Sequence, residues 1–373
     1  MNIDTITGDL CKAARSLWEE VFTEDSVQFT DYYFENKAEK NVGYVIGKEP
    51  YDAMMFRTPY QLQIGQVRLE ISYIVGVATR KEYRHRGYMR NLLLHSFREM
   101  YQEKNPFTFL MPANPAIYRP FDFEYVYERD IWELKEPEKM VPFLETLGNK
   151  VMEYEEILSG ETAIREEMLD VTGLYSVRSL RKQFPKFPVM NLLAESANEY
   201  LKEHYNIYVH RDHSYYEMQL KESEAQNGDI YVLFDKGAVQ AFFVYAKEGE
   251  EIFIQEVLEK EDGILDFLQK AEKKKPIIMA RIIHLEEMMK LVCSRENIVT
   301  MIEIKDELIP ENAGIYQWEI TSEGSKVQKI SQAVNVSDKY KAEVQKSGTP
   351  EVSIHIRELA VKILTGVFIN EIV

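Results

Sequence analysis

Two spacings of apolar residues organise the chain. Ile71 to Thr79 is a nearly unbroken apolar run and predicts a strand. Met89, Leu92, Leu93, Phe97 and Met100 then recur on one helical face, and Phe107 to Met111 is a second strand-like run. Between the first run and the helix lies Arg80-Lys81-Glu82-Tyr83-Arg84-His85-Arg86-Gly87-Tyr88. After the second run comes Pro112-Ala113-Asn114-Pro115-Ala116-Ile117-Tyr118. The order is strand, basic loop, helix, strand, and a tight turn ending in tyrosine. Upstream, Leu10, Ala14, Leu17, Trp18 and Val21 share a face of a helix expected over residues 9–22, and residues 42–47 and 61–71 read as strands. Downstream, Phe121 to Tyr127 alternates aromatic and polar residues as a half-buried strand does, continuing to Leu134.

The remainder reads as two further units. Residues 141–201 are mostly helical, broken by Pro185 and Pro188. Strands are expected at 229–234, 238–246 and 251–258, then at 277–283, 299–304 and 315–320, with helices at 285–292 and 356–364. Polar, proline-containing stretches at Lys135–Lys139 and Lys273–Pro276 mark boundaries. They divide the chain into residues 1–137, 138–275 and 276–373, a division that a length of 373 supports. Strands with helices between them give an α/β (α+β) class.

Charge sharpens the picture at one place. The chain carries a net charge of −17, which disfavours general nucleic-acid or anionic-membrane binding and suits cationic substrates. Against that background, residues 80 to 90 hold five Arg or Lys and one acid, Glu82. A helix N-terminus offers unpaired N–H groups and partial positive charge, and Gly87 lets backbone approach a bulky anion. The loop lacks the Gly-Lys-Ser/Thr of nucleotide-triphosphate loops and the three spaced glycines of a dinucleotide fingerprint.

Arg84-His85-Arg86-Gly87-Tyr88-Met89 loosely fits Arg/Gln-x-x-Gly-x-Gly/Ala, and resembles the pyrophosphate loop of the GNAT superfamily of N-acetyltransferases. Together with Pro112…Ile117-Tyr118-x-x-Phe121-x-Phe123 it resembles the enhanced-intracellular-survival (Eis) family. The resemblance implies tandem GNAT folds, the second degenerate because no Arg-x-x-Gly loop follows Val257-Leu258. It implies a sterol-carrier-protein-like domain over 276–373 and a homo-oligomer, plausibly a hexamer. It also implies an acetyl-CoA site built from Val77, Ala78, Thr79, Arg84, His85, Arg86, Gly87, Tyr88, Met89, Arg90, Ala113 and Asn114, with Tyr118 protonating the departing thiolate. The apolar tail Val367-Phe368-Ile369-Asn370-Glu371-Ile372-Val373 would bring the Val373 carboxylate to the active site as base.

The implied activity is direct acetyl transfer from acetyl-CoA to a primary amine, such as an aminoglycoside, polyamine or lysine-like group. The alternatives are an acyltransferase of N-myristoyltransferase type and a non-catalytic CoA-binding scaffold. In the family, the aromatic stretch Phe22, Phe29, Tyr32, Tyr33, Phe34, with Glu24, Asp25, Asp31 and Glu35 between, walls the acceptor pocket. Most of those rings are expected in the core and one or two in the pocket. Cys11 and Cys293 show no metal spacing and read as free thiols of a cytoplasmic protein. His204, His210 and His213 lack metal-pair spacing, so no metal is expected. The N-terminus lacks a leader pattern, and no apolar window suits a membrane helix.

Overall fold

The computed structural model describes residues 2–148, 176–180, 186–235, 237–248, 251–332 and 352–371. The first part of the chain builds β1 (Asp4–Thr7), α1 (Arg15–Val21), α2 (Val27–Asn36), β2 (Val42–Ile46), β3 (Ala53–Ile64), β4 (Val67–Thr79), α3 (Tyr88–Gln102), β5 (Phe107–Leu110), the one-turn α4 (Pro115–Tyr118) and β6 (Glu124–Leu134). The middle adds α5 (Pro137–Gly148), β7 (Ser176–Ser179), α6 (Lys186–His204), β8 (Ile207–Val209), α7 (His213–Ala225), β9 (Asp229–Asp235), β10 (Ala238–Glu248) and β11 (Glu251–Glu259). The last part holds β12 (Leu268–Ile282), α8 (Leu285–Lys290), β13 (Ile298–Lys305), β14 (Gly314–Thr321), β15 (Gly324–Gln332), β16 (Val352–His355), α9 (Ile356–Ile363) and β17 (Val367–Phe368).

Among the described residues the strands form three sheets, an α/β architecture as expected. The first runs β1-β2-β3-β4-β5-β12-β6, with β8 on the far half of β3 and β17 parallel to β8. The second is the antiparallel β11-β10-β9-β7, and the third is β15-β14-β13-β16. The first sheet thus recruits strands from all along the chain. The Lys273–Pro276 run, read from composition as a boundary, lies inside β12, and Lys270 and Lys274 pair with Asp130 of β6 at 2.6 and 3.2 Å. Lysines on an exposed, irregular strand look like a linker in sequence. The stretch 61–71 is a hairpin rather than one strand, turning at Gly65 (φ +55°). The first half of β3 was hidden because Arg57, Thr58 and Pro59 interrupt its apolar run. Arg57 is nevertheless buried, donating to Tyr44 Oη at 2.9 Å and Ser72 Oγ at 3.2 Å. The helix expected over 9–22 is a 3₁₀ segment, Gly8–Ala14, followed by α1.

Ile230, Val232 and Phe234 of β9 face one core, while Tyr231 and Leu233 face a second that includes Phe243, Leu265 and Phe267. Burial on both faces explains why that strand is continuously apolar. Among the described residues no helix is long and apolar enough to cross a membrane.

A single buried arginine ties the first and third sheets together. Arg281 of β12 is fully buried, and its Nη2 donates to both carboxylate oxygens of Asp306 at 2.9 and 3.1 Å. Its Nη1 donates to Asp122 Oδ2 at 2.7 Å and to the Phe121 carbonyl at 3.2 Å, on the turn after α4. Asp122 holds a left-handed φ of +62° there. Removing one partner of such a network strands the other charges out of water. Arg281→Met is therefore expected to cost roughly 3–5 kcal/mol in denaturant unfolding, and an unchanged midpoint would show that the network adds nothing.

Candidate active site

The site begins where two parallel strands part. β4 and β5 share one register pair, Tyr73 with Phe109. Past it, the backbone of β4 toward Thr79 has no β5 partner among the described residues, so that edge carries no strand pairing short of the Thr79 carbonyl, which accepts from Arg84. On the β3 side, the register slips between Met54 and Phe56, opposite Gly76. Gly76 has φ +62°, and a Cβ there would lie 2.7 Å from Trp18 Cζ3. Backbone conformation and space both require glycine. The expected donor-contact residues Val77, Ala78 and Thr79 lie on this irregular end of β4.

The basic loop closes the wide end of the cleft. His85 (φ +63°) and Gly87 (φ +78°) are both left-handed, and Gly87 is the N-cap of α3 without a side-chain cap. With no acid in the first turn, the amides of Tyr88, Met89 and Arg90 form an uncapped, positive helix end. A Cβ at Gly87 would meet only Asn91 Nδ2, at 4.0 Å, so conformation alone requires this glycine. The cations are spoken for in different ways. Arg84 Nε donates to the Thr79 carbonyl at 3.1 Å, and Arg80 pairs with Glu20 at 3.1 Å. Arg86 lies over the Tyr83 ring at 5.3 Å and Arg90 over Phe121 at 5.9 Å.

Tyr118 ends α4, which Asn114 caps by accepting from the Ala116 amide at 3.0 Å. Its ring packs edge-on to Phe123, and burial pushes its phenol up to about 12. A phenol of that acidity stays protonated throughout the neutral range, the form a proton donor needs. Ala113 and Asn114 are exposed beside it.

The tail is buried from Val367 to Glu371, with β17 on β8 and Phe368 against Tyr127 and Tyr205. Val373 lies outside the described residues. Asn370 and Glu371 line a cavity of ≈ 280 Å³ shared with β3, α7 and the end of α2. One wall is Tyr60, whose ring lies 5.9 Å from Tyr73 and 6.2 Å from Phe109, the pair at the apex of the β4/β5 cleft. Glu371 accepts from Tyr215 Oη at 3.0 Å, and burial raises its carboxyl pKa, with Arg211 and Lys37 opposing. Glu222 of α7 accepts from Lys37 Nζ at 2.6 Å and Tyr32 Oη at 3.0 Å.

Residues 2–126 match the acetyltransferase (GNAT) domain family. That stretch is a GNAT acetyltransferase domain. It makes the chain an acyltransferase. Across nearly the full length the chain is similar to solved structures. A probable N-acyltransferase from Enterococcus faecalis V583 shares 14% identity at TM-score 0.69, covering 97% of this chain and 89% of that one. A GCN5-related N-acetyltransferase from Anabaena variabilis ATCC 29413 shares 13% at 0.66, covering 96% and 89%. Eis1 from Mycobacterium abscessus shares 12% at 0.62, covering 97% and 89%. At such identities the likeness is one of fold. No curated protein matches the sequence.

Within the GNAT domain, the residues picked out from sequence fall on three neighbouring pieces: the end of β4, the loop into α3, and α4. The acids expected among the α2 aromatics are elsewhere. Asp31 pairs with Arg15 at 2.5 Å, Asp25 accepts from Trp18 Nε1 at 2.8 Å, and Tyr33 stacks on Trp18 in the core. The cavity takes its acids from Asp212, Glu222 and Glu371, which carry no motif. A buried polar pair inside an apolar tail, Asn370-Glu371, was the one available signal. Of the histidines, His204 stacks on Tyr200 at 4.1 Å and His210 lines the cavity.

The two glycines of the cleft give a paired test. Gly76→Ala combines left-handed strain with a clash and should cost roughly 2–5 kcal/mol. Gly87→Ala carries the strain alone and should cost roughly 1–2 kcal/mol. Equal losses in denaturant titrations would refute the distinction.

Proposed function

We propose that the enzyme transfers an acetyl group from acetyl-CoA to a primary amine held in the cavity beside Glu371, in an arrangement like that of the Eis family. The observation that carries the reading is the β4/β5 parting, with an unpaired strand edge inside it, an uncapped helix end at its mouth and a protonated tyrosine nearby. The cradle fits the group: two left-handed residues, His85 and Gly87 on either side of Arg86, turn the backbone ahead of the uncapped end of α3, where a diphosphate would be held. When bound, the thioester supplies an activated acyl carbon.

This chain's residues would do the rest. The β4 backbone beside Gly76 orients the acyl carbonyl and offers an N–H as charge builds on its oxygen. An acceptor amine arrives protonated, and only its neutral form attacks. A tail carboxylate, Glu371 or that of Val373, would take that proton, and burial makes Glu371 a stronger base than an exposed carboxylate. As the C–N bond forms and the C–S bond breaks, Tyr118 gives its proton to the sulfur. The division at residue 137, the sterol-carrier-like character of the third sheet, a cytoplasmic setting and a hexameric assembly belong to the same proposal.

Gly87→Glu should weaken acetyl-CoA binding at least tenfold in calorimetry, because it adds bulk and negative charge at the helix end. Unchanged affinity would remove the loop from the site. Tyr118→Phe should lower kcat by roughly tenfold or more with donor affinity unchanged, since the loss lies in the transition state. The donor form is lost only as pH rises through about 12, so this phenol adds no falling limb to the wild-type rate between about pH 7 and 10. Matching rates for the two proteins would make Tyr118 structural.

A further inference from the structure

The turn that carries Tyr118 is weakly anchored by its own residues. α4 is four residues long, too short to hold its shape alone. It runs straight into the 3₁₀ turn Arg119–Phe121, where the Asp122 amide donates back to the Arg119 carbonyl at 3.0 Å. Among the described residues the Tyr118 hydroxyl has no hydrogen-bond partner. Its aim is therefore set by the ring and by the backbone beneath it.

One buried guanidinium supports both. Arg281 Nη1 grips the backbone side, through Asp122 Oδ2 at 2.7 Å and the Phe121 carbonyl at 3.2 Å. The same guanidinium lies over the Phe97 ring at 5.0 Å. Phe97 packs on Phe123 at 6.0 Å, and Phe123 packs on Tyr118 at 6.0 Å. Arg281 is itself fixed by Asp306, just after β13, which takes Nη2 on both oxygens. Asp306 also accepts from the Leu308 and Ile309 amides at 3.1 and 3.0 Å and from Asn312 Nδ2 at 3.0 Å. Charge-assisted, two-pronged bonds of this kind fix angle as well as distance.

We propose that Asp122, Arg281 and Asp306 are positioning residues for Tyr118, so that the third sheet governs proton delivery to the leaving sulfur. The inference rests on the reading of Tyr118 as proton donor. A donor must come within about 3 Å of the atom it serves, and about 1 Å of misplacement can cost a hundredfold. Loosening this support should therefore lower kcat while the head of α3 still binds acetyl-CoA.

Asp122→Gly suits the left-handed backbone, removes the acceptor and leaves Arg281 its counter-charge on Asp306. Asp122→Asn keeps both an acceptor and a residue at ease in that conformation. Asp306→Asn cuts the support at its far end. Folding of each is checked by circular dichroism. Rates are read as thiol release from acetyl-CoA, with the fastest of 6-aminohexan-1-ol, 1,6-diaminohexane and a lysine peptide as acceptor. Asp122→Gly and Asp306→Asn should each lower kcat about tenfold, with acetyl-CoA affinity in calorimetry changed by less than about twofold. Asp122→Asn should recover most of that loss. In a Tyr118→Phe background, already slow, neither change should lower kcat further. Losses that multiply in the double variants would overturn the inference, as would an unchanged kcat in Asp122→Gly or no recovery in Asp122→Asn. Should Asp306→Asn fail to fold, the two Asp122 variants decide. Wild-type speed in Tyr118→Phe would instead bring down the proton-donor reading beneath it. No turnover of any of the three amines by the wild type would bring down the transfer reading.

Discussion

Backbone pairing across one slot in the first sheet holds this molecule together. β5 and β6 are neighbours in sequence but not in the sheet, and β12 lies between them, antiparallel to both. Buried N–H and C=O groups left unpaired are costly, so the edges of β5 and β6 are completed only when a strand from far along the chain arrives. Met279 of that strand faces Leu110 on one side and Tyr125 on the other. The GNAT domain therefore does not finish folding on its own residues. Its last inner strand also carries Arg281, which binds the turn after Tyr118 on one side and Asp306 of the third sheet on the other. The third sheet is thus two hydrogen bonds from the turn that follows Tyr118.

The cavity is assembled by the same logic of distant parts. β8 extends β3, β17 extends β8, and the residues after β17 are delivered to the α2–α7 gap. Arg211, buried and stacked at 4.1 Å on Tyr215, holds Glu256 at 3.0 Å, and Asn370 donates to that same carboxylate at 3.2 Å. A tail fixed by buried polar contacts is held in one register, whereas apolar packing alone tolerates sliding. Glu371 owes its raised proton affinity and its place at the cavity wall to that register.

Much of the first domain was legible from the residues. The run Ile71 to Thr79, the helical spacing from Met89 to Met100 and the turn to Tyr118 each depend on neighbours a few positions away, and periodicity reports such local demands directly. Gly87 was readable for the same reason, since a left-handed cap is a property of one residue's own backbone. Gly76 was harder, because part of its requirement is the ring of Trp18, far off in sequence. Arg57 hid half of β3, since a buried arginine is tolerated only where a tyrosine and two acids wait in three dimensions.

The sequence by itself determined an α/β chain with a basic, glycine-containing loop before a helix, a tyrosine turn, and an apolar tail that had to be buried. Each of these follows from side-chain type and spacing along one stretch. Only the tertiary structure decided that β12 belongs to the first sheet despite its lysines. It alone decided that the acids of the α2 stretch lie off the cavity lining, Asp25 and Asp31 engaged elsewhere, and that Glu222 and Glu371 stand at its wall. Charge pairing and strand insertion are set by distances through space. Residues separated by a hundred or more positions, such as Lys37 and Glu222, acquire their electrostatic meaning only once the chain has brought them within hydrogen-bond reach.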